Sequence, residues 1–266
     1  MSDTVRLDSF LVQQGYASGR EKAKELLAAG YVTVDGRIVT KAATHIGENH
    51  VVCCAAPAAK YVGRGGYKLE KALEIASLSL TDCVCMDVGA STGGFTDCML
   101  QHGAARVYAV DVGHDQLHPT LREDAWVVCL EGTDVRSDRL RQTVSEGSVD
   151  IVSVDVSFVS LEHVMPAILP YLASDGVCVC LIKPQFEAGK SAIGKHGVVK
   201  DAKVHIRVLE RMLSVFYQWH LNVKAITFSP ITGGEGNIEY LTVLGGDSTV
   251  AVDVQKLVAQ AFAALK

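Results

Sequence analysis

Apolar runs and helical repeats alternate along most of this chain, from about residue 63 to its end. Short apolar runs predict strands over residues 83–88, 106–111, 127–131, 149–155, 176–183, 223–229 and 238–244. Apolar residues three and four positions apart predict helices that begin near residue 94 and cover residues 161–172, 202–218 and 252–264. Because alternating strands and helices cover a sheet on both faces, the pattern predicts an α/β fold with a mostly parallel sheet.

The first 52 residues have a different pattern, which is typical of a small α+β unit. After one short amphipathic helix, Ser18 and Glu21 form a capping box that predicts a second helix, and Gly30 is a natural end for it. Residues 31–39 then read as a tight hairpin around an Asp-Gly pair. Residues 53–62 are small and lack a clear period, so we expect a connection there.

Composition and charge narrow the class of protein. The 266 residues are 48% hydrophobic, enough for one or two globular domains. The chain shows neither a secretion signal nor the run of about 20 apolar residues that spans a membrane, which predicts a cytoplasmic protein without stable membrane association. The net charge of −5 is uneven, since residues 1–68 carry +3 and the remainder −8.

The basic N-terminal part is where we expect a polyanion to bind. The candidate contacts with phosphate are Arg6, Arg20, Lys22, Lys24, Arg37, Lys41 and Arg64. Charge alone is equally compatible with an ordinary solvated basic helix.

Eight cysteines are present, but without a secretion signal disulfides are not expected. Cys83 with Cys85, and Cys178 with Cys180, lie in strand-like runs, where they read as small buried hydrophobic residues. Neither a Cys-x-x-Cys motif nor a nearby histidine cluster suggests a metal site.

The segment VCMDVGASTGGF, residues 84–95, has the strand–loop–helix form of a nucleotide-type cofactor site. Its DxGxxxGG spacing differs from the GxGxxG of NAD enzymes, and it lacks a Walker lysine. The next strand ends at Asp111, an acid suited to a ribose diol, so S-adenosylmethionine is favoured over ATP or NAD. The candidate cofactor contacts are Asp87, Gly89, Ser91, Gly93, Gly94, Phe95 and Asp111.

Four polar residues stand at positions typical of an active site. Lys68 opens a helix after a glycine-rich turn, Asp155 and Lys183 end apolar strands, and Glu239 lies in a later strand. Because parallel strands end at one edge of a sheet, Asp155 and Lys183 should lie near the glycine loop. A lysine there needs an acidic partner, and a purely structural ion pair is the alternative.

Two sets of motifs resemble known families. The pattern RLDxxLVxxGYASGREKAKELLxxGYVTVDGRIVTK over residues 5–52 resembles the small RNA-binding module named after ribosomal protein S-four. The set GRGGYKL, DVGASTGGF, AVDVGHDQL, DVSFVSL, LIKPQFEAGK and GNIEYL is similar to the TlyA family of ribosomal RNA 2′-O-methyltransferases. The resemblance implies an S-four-like domain over residues 1–58, a linker over 59–62 and a Rossmann-like, FtsJ-like methyltransferase domain over 63–266.

The resemblance further implies a Lys-Asp-Lys-Glu tetrad at Lys68, Asp155, Lys183 and Glu239. These residues would methylate a ribose 2′-hydroxyl, with cytidine the expected nucleoside, in 23S ribosomal RNA, and 16S ribosomal RNA is a further candidate. Lys183 is the candidate base, because a lysine accepts a proton when burial or a second cation, here Lys68, lowers the pKa of its amine. The resemblance also places Asp111 at the cofactor ribose and Asp134 at the adenine.

Other chemistries fit the motifs less well. Methylation of a base amino group usually uses Asp/Asn-Pro-Pro-aromatic where this chain has DVSF, and carbon-5 methylation needs a cysteine after Pro or Thr, which is absent. A membrane-active hemolysin, a name given to family members, is disfavoured by the missing span. A non-catalytic RNA-binding or ribosome assembly factor is disfavoured by the complete tetrad.

Two further comparisons with the family concern RNA contacts. The linker Ala59-Lys60-Tyr61-Val62 lacks the arginine usual in the family, which puts a linker contact with RNA in doubt. The predicted C-terminal helix, 252–264, resembles that of longer members associated with both 16S and 23S ribosomal RNA. Ribosomal RNA or ribosomal subunits are therefore the expected partners, while no motif indicates an oligomeric state.

Overall fold

A computed structural model describes residues 4–17, 19–55, 59–189, 192–194 and 197–265. The chain divides into two compact units, Met1–Lys60 and Tyr61–Lys266. The division falls within the stretch that we predict as the linker.

The first unit is a small α+β fold. Its elements are β1 (Val5–Arg6), α1 (Leu7–Gln13), α2 (Arg20–Ala28), β2 (Val32–Val34), β3 (Arg37–Ile38), β4 (His45–Ile46) and β5 (Val52–Cys54). Strand β2 pairs antiparallel with both β3 and β5, and β1 pairs with β4. Leu7, Leu11 and Leu27 from the two helices are fully buried against Val32 of the sheet, so one apolar face of each helix supplies the core.

The predicted hairpin and the end of the second helix are confirmed, with Asp35 and Gly36 both at positive φ in the turn. The irregular connection predicted over residues 53–62 is partly wrong. Cys53 and Cys54 belong to β5, where they pair with Thr33 and Val32 of β2. The run is too short to show a period, and the partner strand rather than local sequence makes it a strand. Ser18 of the predicted capping box lies outside the described residues.

The second unit is a three-layer α/β fold. Its elements are α3 (Gly65–Ala76), β6 (Val84–Val88), α4 (Gly94–Gln101), β7 (Arg106–Val110), α5 (Pro119–Arg122), β8 (Val127–Leu130), α6 (Asp138–Thr143), β9 (Val149–Val154), α7 (Leu161–Ile168), β10 (Leu172–Ile182), α8 (Pro184–Glu187), α9 (Ala202–Gln218), β11 (Val223–Phe228), β12 (Tyr240–Leu244) and α10 (Val254–Leu265).

The strands of this unit form one sheet in the order β11-β12-β10-β9-β6-β7-β8. The pairs from β10 to β8 are parallel, and β12 is antiparallel to both β10 and β11. The predicted mostly parallel sheet is thus confirmed. The chain reverses its direction of winding between β6 and β9, where Val88 pairs with Val154. In an open sheet of this kind, ligands bind at such a switch point.

The predicted helix over residues 161–172 is wrong over its last four residues. Helix α7 ends at Ile168, a 3₁₀ turn covers Leu169–Tyr171, and β10 starts at Leu172. Pro170 has no N–H to continue the helix and its ring opposes the preceding turn, so the chain changes structure there.

Apolar side chains cover both faces of the sheet. One face packs Met86, Val152 and Cys180 with α7, α9 and α10, and the other packs Cys85 and Val179 with α3 and α4. The prediction of buried, unpaired cysteines is confirmed for Cys85, Cys178 and Cys180, whereas Cys83 is partly exposed. Among the described residues, no helix is both long and apolar enough to cross a membrane.

Helix α3 packs closely against Tyr61, the first residue of the second unit, because Gly66 has no side chain. A Cβ atom at Gly66 would collide with the ring of Tyr61, which is itself buried and packs edge-on against Tyr67 at 5.3 Å. We expect Gly66→Ala to lower the free energy of unfolding by about 1–3 kcal/mol, because overpacking forces side chains to move. Chemical denaturation measures it. Gly234→Ala is the control, since its added carbon meets no atom within 4 Å, and equal stability of the two variants would contradict the packing argument.

Candidate active site

Two cavities adjoin at the switch point of the sheet. The larger, of about 530 Å³, lies among the glycine loop, the ends of β7 and β8, and the segment after β9. The smaller, of about 180 Å³, lies among the start of α3, the glycine loop and residues 231–234. Gly89, Ser91 and Asp155 line both cavities, so a ligand in one can meet a ligand in the other at these residues.

The glycine loop needs a residue without a side chain at Gly89. Its φ is +86°, and an added Cβ would lie 2.5 Å from the carbonyl oxygen of Asp155. Because β6 and β9 are neighbours, the backbone of the loop presses directly against the backbone at Asp155. Any larger residue would push the two cavity walls apart.

Asp111 connects the two sides of the larger cavity. Its carboxylate accepts hydrogen bonds from the backbone N–H groups of Ser91, at 2.8 Å, and Gly113, at 2.7 Å. Asp111 lines the cavity, as predicted from its place after β7. Both carboxylate oxygens keep a free lone pair for a further donor.

Asp134 also lines the larger cavity, but its carboxylate already has a partner. Arg136 donates to it from Nε at 2.8 Å and from Nη2 at 2.6 Å, and this guanidinium holds the pKa of the Asp134 carboxyl at about 2. An ion pair therefore forms part of the cavity wall at this point, with Val135 beside it.

Two predicted cofactor contacts lie beneath the cavity rather than in its wall, which corrects their assignment. The buried Asp87 carboxylate accepts bonds from the Thr96 N–H at 2.9 Å, the Thr96 hydroxyl at 2.7 Å and the Ser153 hydroxyl at 2.9 Å. Side chains alternate along a strand, and this position of β6 faces the start of α4. Gly93, at φ +94°, faces Leu117 and Leu121 instead. Gly94 and Phe95 line the smaller cavity.

The four residues of the predicted tetrad come together around the smaller cavity. Lys183 Nζ forms an ion pair with Asp155 Oδ1 at 2.6 Å, and Lys68 Nζ lies 3.7 Å from Asp155 Oδ2. Lys68 also donates to Glu239 Oε2 at 2.6 Å. Asp155 thus stands between two ammonium groups, and the four charges balance.

These four side chains are largely withdrawn from water, with 3% of Glu239, 9% of each lysine and 17% of Asp155 exposed. A buried charge is costly unless it is paired and hydrogen-bonded. The pairing therefore offsets the cost of burying these charges, and Asp155 and Lys68 are the members that reach a cavity wall.

Three further residues of the site were missed in the sequence. Ser157 Oγ accepts from Lys183 Nζ at 3.1 Å, and Gln185 Nε2 donates to Glu239 Oε1 at 3.2 Å. Phe158 is 92% exposed at φ +62°, and its ring lies 5.1 Å from that of Phe186. The motifs DVSFVSL and LIKPQFEAGK contain all three, so their nearness to the tetrad in sequence was the available signal.

The predicted phosphate contacts are on the surface, and several have local partners. Arg6 and Arg20 bond to Asp8 and Ser9, while Lys22 and Lys24 form ion pairs within α2. Arg37 and Lys41 are exposed in the same unit. Arg64 belongs to the second unit and lines the smaller cavity beside Lys68.

Comparison with protein families agrees with this geometry. The sequence matches the FtsJ-like methyltransferase family over residues 61–246 and the S4 domain over residues 5–52. The chain is therefore an FtsJ-like methyltransferase with an S4 domain before it, and the predicted fold class is confirmed.

Named relatives match almost the whole chain. The chain is 44% identical to YqxC of Bacillus subtilis, provisionally named an rRNA methyltransferase, over 90% of this chain and 85% of the relative. It is 39% identical to the 16S/23S rRNA (cytidine-2'-O)-methyltransferase TlyA of Mycobacterium tuberculosis, over 97% of this chain and 96% of the relative. A solved structure from Streptococcus thermophilus, provisionally called a hemolysin, covers 99% of this chain and 98% of its own at 40% identity and a TM-score of 0.77. The chain belongs to the TlyA family.

The buried Asp87 carboxylate should make the free energy of unfolding depend on pH. Burial raises its pKa to about 6, against the opposing hydrogen bonds from Thr96 and Ser153. The folded protein therefore holds this proton more tightly than the unfolded chain does. The stability that the bound proton contributes is fully present below about pH 4 and is lost as the pH rises through about 6. From pH 4 to 7, Asp87→Asn should gain about 3 kcal/mol of unfolding free energy relative to the parent.

Denaturant unfolding at each pH measures this gain. Asp138→Asn is the matched control, because that carboxylate is 81% exposed. Parallel pH curves for Asp87→Asn and the parent would show that Asp87 does not titrate on unfolding.

Proposed function

We propose that this protein transfers a methyl group from S-adenosylmethionine to the 2′-hydroxyl of a cytidine ribose in ribosomal RNA. The observation that carries the proposal is the Lys183 amine, held by Asp155 and Ser157 beside the junction of the two cavities. A ribose hydroxyl gives up its proton as its oxygen forms a bond, so a fixed amine at that point supplies the base.

The larger cavity suits S-adenosylmethionine in size and in the groups that it offers. Asp111 would accept hydrogen bonds from the ribose hydroxyls, and the segment from Asp134 to Arg136 would meet the adenine. Gly89 lines this cavity, and without a side chain its backbone can come close to a ligand. S-adenosylmethionine supplies an electrophilic methyl group on a sulfonium.

The smaller cavity suits the acceptor nucleotide. Arg64 and Lys68 give it positive charge, which favours a phosphate group, and Asp155 marks its boundary with the larger cavity. Holding the hydroxyl and the methyl donor on either side of this boundary removes much of the entropic part of the barrier.

Lys183 is held in place for accepting a proton. Ser157 Oγ accepts a hydrogen bond from Nζ at 3.1 Å, and Asp155 Oδ1 lies 2.6 Å from the same nitrogen. These contacts fix the position of the nitrogen, and a neutral amine there would use its lone pair to accept the proton of the 2′-hydroxyl. After proton transfer, the ammonium is stabilised by Asp155 and by the ring of Phe186, whose centroid is 5.8 Å from Nζ.

Lys68 and Glu239 act on this centre through charge. Lys68 shares Asp155 with Lys183, so the carboxylate is divided between two amines rather than committed to one. Glu239 in turn fixes Lys68, and Gln185 fixes Glu239. Among the described residues, no cysteine lines either cavity, which supports transfer to oxygen over carbon-5 of a base.

Ribosomal RNA is the proposed partner because of the S4 domain and the relatives' names. The M. tuberculosis relative is named for both 16S and 23S rRNA and matches this chain through nearly all of its length. Helix α10 extends the chain beyond the FtsJ-like region, consistent with the longer, dual-substrate members. We therefore propose both RNAs as substrates, and the cytoplasm as the place where the protein meets ribosomal subunits.

Methyl transfer to unmodified ribosomal subunits, with labelled S-adenosylmethionine, tests the proposal. We expect Lys183→Ala to reduce transfer by about 10²- to 10⁴-fold, the usual contribution of a general base. Lys71→Ala is the matched control, because Lys71 forms an exposed ion pair with Glu74 on α3 and should leave the rate unchanged.

Mapping the modified nucleotide on 16S and 23S rRNA separately identifies the acceptor. A methyl group on a base would overturn ribose methylation. Binding of subunits by the parent protein without any transfer would favour the non-catalytic assembly factor.

Phe158 is proposed to stack on a base of the bound RNA. It is exposed at the edge of the larger cavity, and a phenylalanine at φ +62° is strained, which is typical of functional positions. Since stacking on an aromatic ring contributes about 1–3 kcal/mol, Phe158→Ala should raise KM for RNA by roughly 5- to 150-fold. Tyr217→Ala, at an 81% exposed aromatic on α9, is the control. An equal effect of both variants would exclude a specific role for Phe158.

A further inference from the structure

Lys183 and Asp155 lie at the starts of two short chain segments, and a second set of contacts connects the ends of these segments. Asp155 follows β9, and five residues later Ser160 precedes α7. Lys183 precedes α8, and Glu187 ends that helix one turn later. The ion pair between Asp155 and Lys183 is thus one join, and the second lies at the far ends of the same two segments.

Glu187 makes this second join. Its Oε2 accepts from the Ser160 hydroxyl at 2.7 Å, and its Oε1 accepts from the Leu161 N–H at 2.8 Å. The Glu187 N–H also donates to the Lys183 carbonyl at 3.2 Å, so little slack remains between the lysine and the glutamate. The Glu187 side chain is only 2% exposed and lines neither of the two adjoining cavities.

Arg211 of α9 completes the arrangement from outside. Its Nη2 donates to Glu187 Oε2 at 3.0 Å and to the Glu187 carbonyl at 2.8 Å, and its Nη1 lies 2.8 Å from Glu162 Oε1. The guanidinium therefore neutralises the buried carboxylate and fixes the end of α8 to the long helix α9. A buried carboxylate with three donors, one of them the paired cation, is a rigid connection.

We propose that Glu187, held by Arg211, is a positioning residue that keeps the Lys183 amine against Asp155 and Ser157. Because contacts fix the two segments to each other at both ends, the Lys183 amine has little freedom to move. Opening the end at Glu187 would leave the contacts of Lys183 with Asp155 and Ser157 to hold the start of α8 beside the segment after β9. The inference rests on the proposed function for its effect on rate, and on geometry alone for its effect on Lys183.

Glu187→Gln is the main test, because it keeps the volume and an acceptor oxygen but loses the charge that pairs with Arg211. At saturating RNA and S-adenosylmethionine, we expect kcat to fall about 10- to 100-fold, the effect of a displacement of about 1 Å at a reacting group. KM for both substrates should stay near the parent value. A loss of S-adenosylmethionine affinity equal to the loss of kcat would indicate general disruption and overturn the proposal.

Glu162→Gln is the matched control. Glu162 pairs with the same arginine through its other nitrogen but does not accept from Ser160 or Leu161, so this variant should keep the parent kcat. An equal fall in kcat for both variants would show that losing either partner of Arg211 has the same effect, and it would overturn a specific role for Glu187.

A second readout needs neither substrate. Acetylation of lysines by an amine-reactive ester, followed by mass spectrometry, measures the exposure of each amine. In Glu187→Gln we expect Lys183 to react several-fold faster than in the parent. Lys68 on α3 donates to Glu239 rather than to Glu187, so it should react as in the parent. An unchanged Lys183 rate would overturn the proposal, whether or not methyl transfer is found. No transfer by the parent, with faster Lys183 acetylation in the variant, would contradict only the proposed function.

If Glu187→Gln does not fold, Arg211→Lys gives the same test from the surface, where Arg211 is 46% exposed. A lysine keeps the charge but cannot donate to the carboxylate, the carbonyl and Glu162 together. The proposal expects faster Lys183 acetylation and a lower kcat here too. Parent values for both in this variant would overturn it.

Discussion

The parallel pairing of β6 with β9 determines where the two segments that line both cavities meet. Val88 and Val154 are partners in this pair, so the residues that follow them, Gly89 and Asp155, meet at the edge of the sheet. The carbonyl of Asp155 lies where a side chain at position 89 would be. One wall of both cavities is therefore a backbone-to-backbone contact, which side-chain motion cannot widen.

Charge balance is the second constraint on the site. Two lysines and two acids are withdrawn from water together, and removing one of a buried pair typically costs about 3–5 kcal/mol. The order of contacts, Lys183 to Asp155 to Lys68 to Glu239, forms a chain in which each inner member has two partners. Such a chain holds the amines at fixed positions in the unliganded protein, which lowers the reorganisation needed for the proposed proton transfer.

Most of the site could be predicted because its residues follow strands, and strand ends are visible in sequence. The apolar runs before Asp111, Asp155 and Lys183 placed these side chains at one edge without a structure. Asp87 could not be placed in the same way, because a one-residue difference along β6 decides between a cavity wall and the buried side of the sheet. The backbone angle of Phe158 depends on how the segment after β9 packs, and no local pattern in DVSF encodes it.

The fold was predicted less well where partners rather than local sequence decide the structure. The early end of α7 is an exception, because Pro170, which the sequence already shows, cannot continue the helix. Strand β5 forms because β2 offers it an open edge. Glu187 shows the same limit at the site, since nothing in LIKPQFEAGK distinguishes a glutamate that contacts α7 from one on the surface.

The relatives' names describe two different activities, and the buried charges bear on the choice between them. A hemolysin acts on a membrane, for which a balanced cluster of two lysines and two acids beside a glycine loop has no evident use. The same cluster is costly to fold, and proteins retain such strain and desolvation mainly where chemistry needs it. Asp155, the member that lines both cavities, brings its partner Lys183 close to their junction, and a base is useful only where donor and acceptor meet. The geometry thus favours the methyltransferase name on physical grounds that are independent of sequence identity.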